Sequence, residues 1–329
     1  MDMGSILGIL IRSVVLVVGL LTVFAYLMLF ERKFRGWFQM RVGPNRTGPW
    51  GLLQPIADAV KMIMKEDIIP RDADRPIYKL APIISLFVAL AAFAVVPIGP
   101  DIQIGSMVIP LQIANPNAGL LVVLAFMSLA VYGVTLGGWA SQSKYALLGA
   151  LRSTAQMISY ELSMGMSVVG VIILAGSFQL PEIVARQAES VPFILLQPIG
   201  FILFFISAIA EVARVPFDLP EAETELVAGY HTDYSGMRFA MYSIAEYVNM
   251  ITVSSLITLL YLGGWNGPAF LPPVAWFALK VAVLIFIFYW IAATLPRIRY
   301  DRLMDFGWKV MLPIAFLNLV ATAAWIAFT

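Results

Sequence analysis

The sequence predicts an all-α polytopic membrane protein: eight transmembrane helices plus one amphipathic interfacial helix, with both termini on the outer side. Three observations predict it. The 329 residues are 60% hydrophobic and 12% charged, with a mean hydropathy of +0.87; a soluble domain carries about twice that charge. Apolar runs of roughly 20 residues, enough to cross a ~30 Å hydrocarbon core, recur along the chain. Lys and Arg gather on alternate connections, which sets an orientation.

The spans fall at about 8–30, 80–98, 118–139, 157–175, 194–212, 241–262, 275–295 and 307–328. The first ends in Glu31-Arg-Lys-Phe-Arg35. It lacks both the basic leader and the small-residue cleavage site of a secretory signal, so it reads as a retained span. The connections 31–79, 140–156, 213–240 and 296–306, with the adjoining span ends, hold 18 of the 21 Lys and Arg residues. Arg12, Arg186 and Lys280 lie toward the other side. The positive-inside rule therefore places the basic connections inside. The outer connections 99–117 and 263–274 carry a single charge, Asp101, and read as short caps on the bundle. With no internal repeat and no low-complexity linker, residues 1–329 form a single membrane domain whose inner loops are 31–79 and 213–240.

The first inner loop opens on Arg41-Val-Gly-Pro-Asn-Arg-Thr-Gly-Pro49, which is dense in turn residues and must be irregular. From Gly51 to Lys65, Leu52, Leu53, Ile56, Ala59, Val60, Ile63 and Met64 recur at helical spacing, with Gln54, Asp58, Lys61 and Lys65 opposite. That pattern is an amphipathic helix, either lying in the membrane interface or on the surface with solvated charges, on which Asp58 and Lys61 stand as a solvated pair three residues apart. Trp37, Phe38 and Trp50 either mark the interface belt or line an entry for a hydrophobic ligand.

Composition also excludes functions. The chain has no cysteine and one histidine, His231. Disulfides, thiolate-held clusters and histidine-rich metal centres are ruled out. No G-x-G-x-x-G or Walker A sequence offers a nucleotide site, and the net charge of +1 gives no reason to expect nucleic acid.

The acids are concentrated. Glu211, Asp218, Glu221, Glu223, Glu225 and Asp233 fall within 23 residues, between two apolar segments. Glu161, Glu211 and Glu246 sit inside spans, all in the inner third of the bilayer. Carboxyls at membrane depth are costly unless hydrated, paired or protonated, so three at one depth suggest a hydrated polar path between helices. Asp218-Leu-Pro-Glu221 has the form of a helix start, after which Glu221 and Glu225 share a face and repel. Arg214 and Arg238 stand close enough in sequence to neutralise part of this charge. Ser163 and Ser167 have the spacing of ordinary helix packing, and His231 reads as a polar loop residue.

These residues resemble a known family. Gly43-Pro44-Asn45, Gly51-Leu-Leu-Gln-Pro-Ile-Ala-Asp-Ala-Val-Lys61 and Lys65-Glu66 are similar to the first-loop signature of one membrane-subunit family of NADH–quinone oxidoreductase, respiratory complex I. In bacteria it is the H subunit, and in mitochondria NADH dehydrogenase subunit 1. The stretch from Glu211 to Tyr230 resembles its second signature, and Gly138 to Gly149 with Arg152 and Ser159-Tyr-Glu161 a third. The resemblance implies a multi-pass subunit of the bacterial inner membrane that forms part of a quinone chamber. Arg32, Asp58 and Ala59 would line the quinone entry. Glu161, Glu211, Arg214, Asp218, Glu221, Glu223, Glu225, Asp233 and Glu246 would form the coupling path to proton-pumping subunits. The implied substrate is a quinone, ubiquinone or menaquinone, with FMN and iron–sulfur clusters only in partner subunits and nothing covalently bound here. The implied partners are the peripheral quinone-site subunit, the subunit of the terminal iron–sulfur cluster, small membrane subunits, antiporter-like subunits and membrane lipids. Two positions depart from the family: Ser128, where some members carry glutamate, and Asp233, where bacterial members usually carry glutamate.

Other readings of the acidic row are a related subunit of a hydrogenase-linked or other-donor complex, an ion-coupled transporter, and a structural anchor. The complete first-loop signature and the His231-Thr-Asp-Tyr-Ser-Gly236 run weigh against the hydrogenase form. The lack of inverted repeats weighs against the transporter.

Overall fold

The computed structural model describes residues 3–104, 107–218 and 228–328. Among them, seven helices are long and apolar enough to cross a membrane, and an eighth apolar helix is shorter. The long ones are α1 (Met3–Phe38), α3 (Arg75–Phe93), α4 (Gly119–Ala140), α5 (Lys144–Ala175), α9 (Gly236–Tyr261), α10 (Pro273–Thr294) and the last, which joins α11 (Tyr300–Phe306) to α12 (Leu312–Phe328) through a π turn at Gly307–Met311. The amphipathic helix is α2 (Gln54–Met64), shorter at both ends than predicted and preceded by a 3-10 turn at Pro49–Gly51.

Several boundaries differ from the sequence reading, each for a physical reason. Helix α1 runs eight residues past its apolar run. Glu31 and Arg35, one turn apart, pair at 2.5 Å and keep the polar stretch helical. Helix α5 begins at Lys144, so most of the predicted connection 140–156 is helix. Its polar residues look like loop in sequence, but Ala146, Gly149, Ala150, Ser153 and Gln156 form one buried face. The fifth predicted span is broken into α7 (Phe193–Leu196) and α8 (Pro198–Glu211). Pro198 has no N–H to continue the helix, and Gln197 leaves helical geometry (φ −131°, ψ 61°). The connections opposite the basic loops are structured: β1 (Ile102–Ile104) pairs antiparallel with β2 (Met107–Ile109), and α6 (Leu180–Glu189) lies before α7.

Helix α9 is the axis of the bundle. Every residue from Met250 to Tyr261 is buried, whereas α1 and α12 keep broad apolar faces exposed. Those faces suit lipid or other apolar neighbours rather than water. On the side away from the basic loops, the Lys280 ammonium donates to the carbonyls of Leu262 (2.7 Å), Gly264 (2.9 Å) and Asn266 (2.7 Å). It thereby satisfies the chain end that leaves α9. On the basic side, Tyr78 stacks on Tyr234 with ring centroids 4.1 Å apart. The Tyr78 hydroxyl donates to the Asp233 carbonyl at 2.6 Å, and Tyr242 donates to the Gly133 carbonyl at 3.1 Å.

Close backbone approach sets one sequence constraint. A Cβ on Gly149 would lie 2.6 Å from Gly229 Cα, so α5 and the turn before Tyr230 touch through main chain. Gly149→Ala should force them apart, a destabilisation of about 1–3 kcal/mol by overpacking. It is measured as a lower thermal-unfolding midpoint of the detergent-purified assembly.

Candidate functional site

Two polar sites lie on the basic side, and they meet at α1 and α9. The first is a cavity of about 360 Å³ between α1, α2 and α9, lined by Phe24, Met28, Met62 and Phe239 among its apolar residues. Arg32, Asp58 and Ala59, the three residues singled out in the sequence, all line it. Arg32 pairs with Asp58 at 2.5 Å. Gln54 donates to the other Asp58 oxygen at 2.9 Å, and Thr47 in turn donates to Gln54 at 2.7 Å. The expected pair of Asp58 with Lys61 is therefore replaced by a bridge between α1 and α2. Lys61 lines the same cavity instead. The result is an apolar pocket with a few placed charges, a form suited to an amphipathic small molecule.

The second site is an ion network in the bundle. Glu31, 4% exposed, accepts from Arg35 at 2.5 Å, from Arg214 at 3.3 Å and from the Tyr247 hydroxyl at 2.5 Å. Arg214 also pairs with Glu246 at 3.5 Å, and its guanidinium lies 4.5 Å from the Tyr247 ring centre. Sequence reasoning missed Glu31 because it was counted with the first inner loop. The signal available was Glu31 and Arg35 at helical spacing directly after an apolar run.

Local backbone geometry delivers Arg214 to this place. After α8 the chain turns sharply, with Ala213 at φ 51° and a cis peptide bond before Pro216. Gln156 holds the turn from α5: its amide donates to the carbonyls of Ala210 and Phe217, both at 2.8 Å. Glu211 and Glu246 then line one internal cavity of about 40 Å³, with Ser85, Ser153, Tyr230, Tyr242 and Asn249 among its walls. A water molecule needs only about 10–15 Å³ of such space, so the cavity can hold a short hydrated chain. Glu161 is near enough to Glu211 for the two charges to repel, and it accepts a hydrogen bond from the Ser128 hydroxyl. Ser128 thus serves as a donor to Glu161.

The remaining predicted residues separate. Asp218 pairs with Arg297 at 3.0 Å, tying the chain after α8 to the last basic connection. Glu221, Glu223 and Glu225, with the expected helix start there, lie outside the described residues. Asp233 lies at the loop ends, near Ser143 and Tyr78. Burial pushes its carboxyl up from the usual range, and a hydrogen bond from Ser143 pulls it partly back. Tyr234 is pushed up to about 12, chiefly by burial. Arg238 pairs with Asp67 at 3.0 Å. His231 is buried between Tyr230 and Phe239, where the sequence suggested a surface position; the aromatic neighbours come from chain folding that spacing does not reveal.

The sequence profile of the family described as NADH dehydrogenase matches residues 11–323. The chain belongs to that family. It is 55% identical over 307 residues to the second H subunit of NADH-quinone oxidoreductase from Syntrophobacter fumaroxidans, covering 93% of this chain and 92% of that one. It is 54% identical over 312 residues to the NADH-quinone oxidoreductase H subunit of Syntrophotalea carbinolica, with 94% of each covered. The relative of the same name from Deinococcus deserti is 52% identical over 328 residues, 97% of this chain and 83% of that one. The NADH dehydrogenase family to which the chain belongs supplies a membrane subunit of complex I that is not catalytic alone. Bacterial relatives and seven membrane-length helices make it a multi-pass protein of the inner membrane.

Arg214 offers the direct test of the network. Arg214→Met takes one of two arginines from buried Glu31 and removes the Arg214 contact of half-buried Glu246, a loss of about 1.5–3 kcal/mol for hydrogen bonds to charged groups. The expected readout is a sharp drop in assembled complex on native gels, with partial recovery in Arg214→Lys.

Proposed function

We propose that this chain forms the membrane wall of the quinone chamber of a proton-pumping NADH–quinone oxidoreductase, and passes the energy of quinone reduction to a row of carboxyls. One observation carries the reading. Arg32, which lines the apolar cavity, is the chain neighbour of Glu31, which anchors the ion network. Likewise Ser243 and Ile244 of α9 line the apolar cavity while Ala245 and Glu246 line the acid cavity. The two sites are thus one residue apart on each of two helices.

The magnitudes suffice for electrostatic coupling. A quinone gains negative charge as it is reduced and loses it on protonation. A unit charge appearing ~8 Å from a buried group shifts its energy by about 2 kcal/mol at an effective dielectric of 20, several times thermal energy. Arg214 can answer by shifting its balance between Glu31 and Glu246, which changes the field on Glu211 and Glu161. Protonation of these acids belongs to the set rather than to single residues. The chain's own part is to hold quinone beside Arg32 and Asp58, keep the acids dry except for a short water chain, and move protons between carboxyl oxygens.

The rest of the reading follows. Residues 1–329 act as one membrane domain with the basic loops inward and both termini outward. Quinone is ubiquinone or menaquinone. Peripheral subunits carrying the quinone pocket and the terminal iron–sulfur cluster close the chamber over the basic side, where Met40, Trp50 and Met64 are 97%, 84% and 80% exposed. Small membrane subunits and antiporter-like subunits continue the acidic path laterally beyond Glu161. Arg214, Asp218, Glu221, Glu223, Glu225 and Asp233 position and extend that path.

Two measurements test the reading. In membrane vesicles holding the assembled complex, Glu211→Gln should lower protons moved per quinone reduced while the complex stays intact; an unchanged ratio with full quinone reduction refutes the coupling role. Ala59→Phe should fill part of the apolar cavity and raise the KM for quinone about tenfold, the effect of ~1.4 kcal/mol of lost binding. Electron transfer to a water-soluble acceptor should stay at its normal rate.

A further inference from the structure

The break between α7 and α8 sits among buried polar side chains on the far side of the bundle. Irregular backbone at membrane depth survives where protein or a polar cavity satisfies it. Gln197, at the break, is 3% exposed; its amide nitrogen donates to Thr322 at 2.7 Å, while its Oε1 has no partner among the described residues. The Asn318 Nδ2 is likewise buried without an acceptor among them. Both point at the same spot: a Cβ built on Gly200 would lie 2.9 Å from Gln197 Oε1, 3.3 Å from Asn318 Nδ2 and 3.5 Å from the Tyr261 hydroxyl. An unfilled acceptor, an unfilled donor and a hydroxyl thus converge beside a residue with no side chain.

A ladder of polar groups leads from this spot toward Glu211. Tyr261 donates to the Ser167 carbonyl at 3.3 Å. Ser163, one turn along α5, and Ser207, one turn before Glu211 on α8, are fully buried, and their hydroxyls lack partners among the described residues. The two helices are antiparallel in known register: Gly170 lies against Gln197, and Gln156 holds Ala210. Ser163 is therefore nearly level with Phe204, within a turn of Ser207. Glu211, whose Oε2 also lacks a partner among the described residues, stands at the near end. Along each helix the polar groups recur one turn apart, Ser163 and Ser167 on α5 and Ser207 and Glu211 on α8, an axial rise of ~5.4 Å. One water bridges that distance with two hydrogen bonds of ~2.8 Å.

We infer that Ser207, Ser163, Tyr261, Gln197 and Asn318 form a water-filled proton relay through the core of this subunit, from Glu211 to the helix break on the far side. A proton leaves the Glu211 carboxyl to the first water; each hydroxyl or water then takes one proton and gives up another, so no group retains charge. The buried carbonyl and amide at Gln197–Asn318 hold the last water before the far surface. The relay rests on the coupling role proposed for Glu211 and adds an exit that the lateral acidic path does not need.

The test uses the assembled complex in membrane vesicles, with quinone reduction and proton translocation measured together. Ser207→Ala and Ser163→Ala each remove one oxygen, and Gly200→Ala puts a methyl where the last water sits. Each should retain quinone reduction while slowing the relay about tenfold or more, the scale of a lost proton-transfer group. That appears as fewer protons moved per quinone reduced. A normal ratio in all three, with Glu211→Gln still impaired, overturns the relay and leaves the coupling role standing. A normal ratio in Glu211→Gln overturns both. Should a variant fail to assemble, a high-resolution structure of the native complex decides: ordered water beside Gly200 Cα supports the relay, and a dry contact there refutes it.

Discussion

The structure on the basic side depends on one compensation, the Arg214 guanidinium between Glu31 and Glu246. Each acid alone would cost several kcal/mol in this environment, and the desolvated arginine as much again. Together with Arg35 and the Tyr247 hydroxyl they form a set in which each charge meets an opposite one. Three elements distant in sequence are pinned by it: the end of the apolar part of α1, the turn after α8 and the first turns of α9. The cavity beside Arg32 and the acid cavity beside Glu246 owe their adjacency to that pinning. A set so closely balanced also responds strongly when a charge appears nearby, which is the property the proposed coupling requires.

The acids divide by environment, and that division gives them different tasks. Glu31 and Glu246 share one cation, Arg214. Glu211 has no cation among its described hydrogen-bond partners, faces a small cavity and feels the charge of Glu161. Asp218 is spent on Arg297, joining two connections, and Asp233 belongs to the tyrosine-lined anchor at the loop end. Acids that look alike in sequence thus separate into paired anchors and, at Glu211, an acid facing a cavity.

Much of this was legible in the sequence. Apolar runs and basic connections gave the long helices, because hydrophobic thickness fixes span length and charge avoids the core. The amphipathic helix was legible from its spacing, and Arg32, Asp58 and Ala59 do line one cavity. The acids within spans were legible because charge at membrane depth is rare. What was not legible depended on distant contacts. Lys144 to Gln156 looked like a loop because its polarity hides a buried face. Glu31 looked like a loop residue until Arg214, 183 positions on, reached it. Asp58 was matched to its sequence neighbour Lys61 rather than to Arg32 on another helix. Ser163 looked like ordinary packing, and only its burial without a described partner sets it apart.

Lys280 has a mechanical consequence. Its ammonium clamps the three carbonyls just beyond the end of α9, while Arg214 grips Glu246 near the middle of that helix. The axial helix is thereby held just past its far end and again at mid-length. Lengthwise sliding of α9 would have to break one of these two grips. A twist about its own axis, or a sideways load on the helices packed against it, α5 and α8 included, leaves both intact.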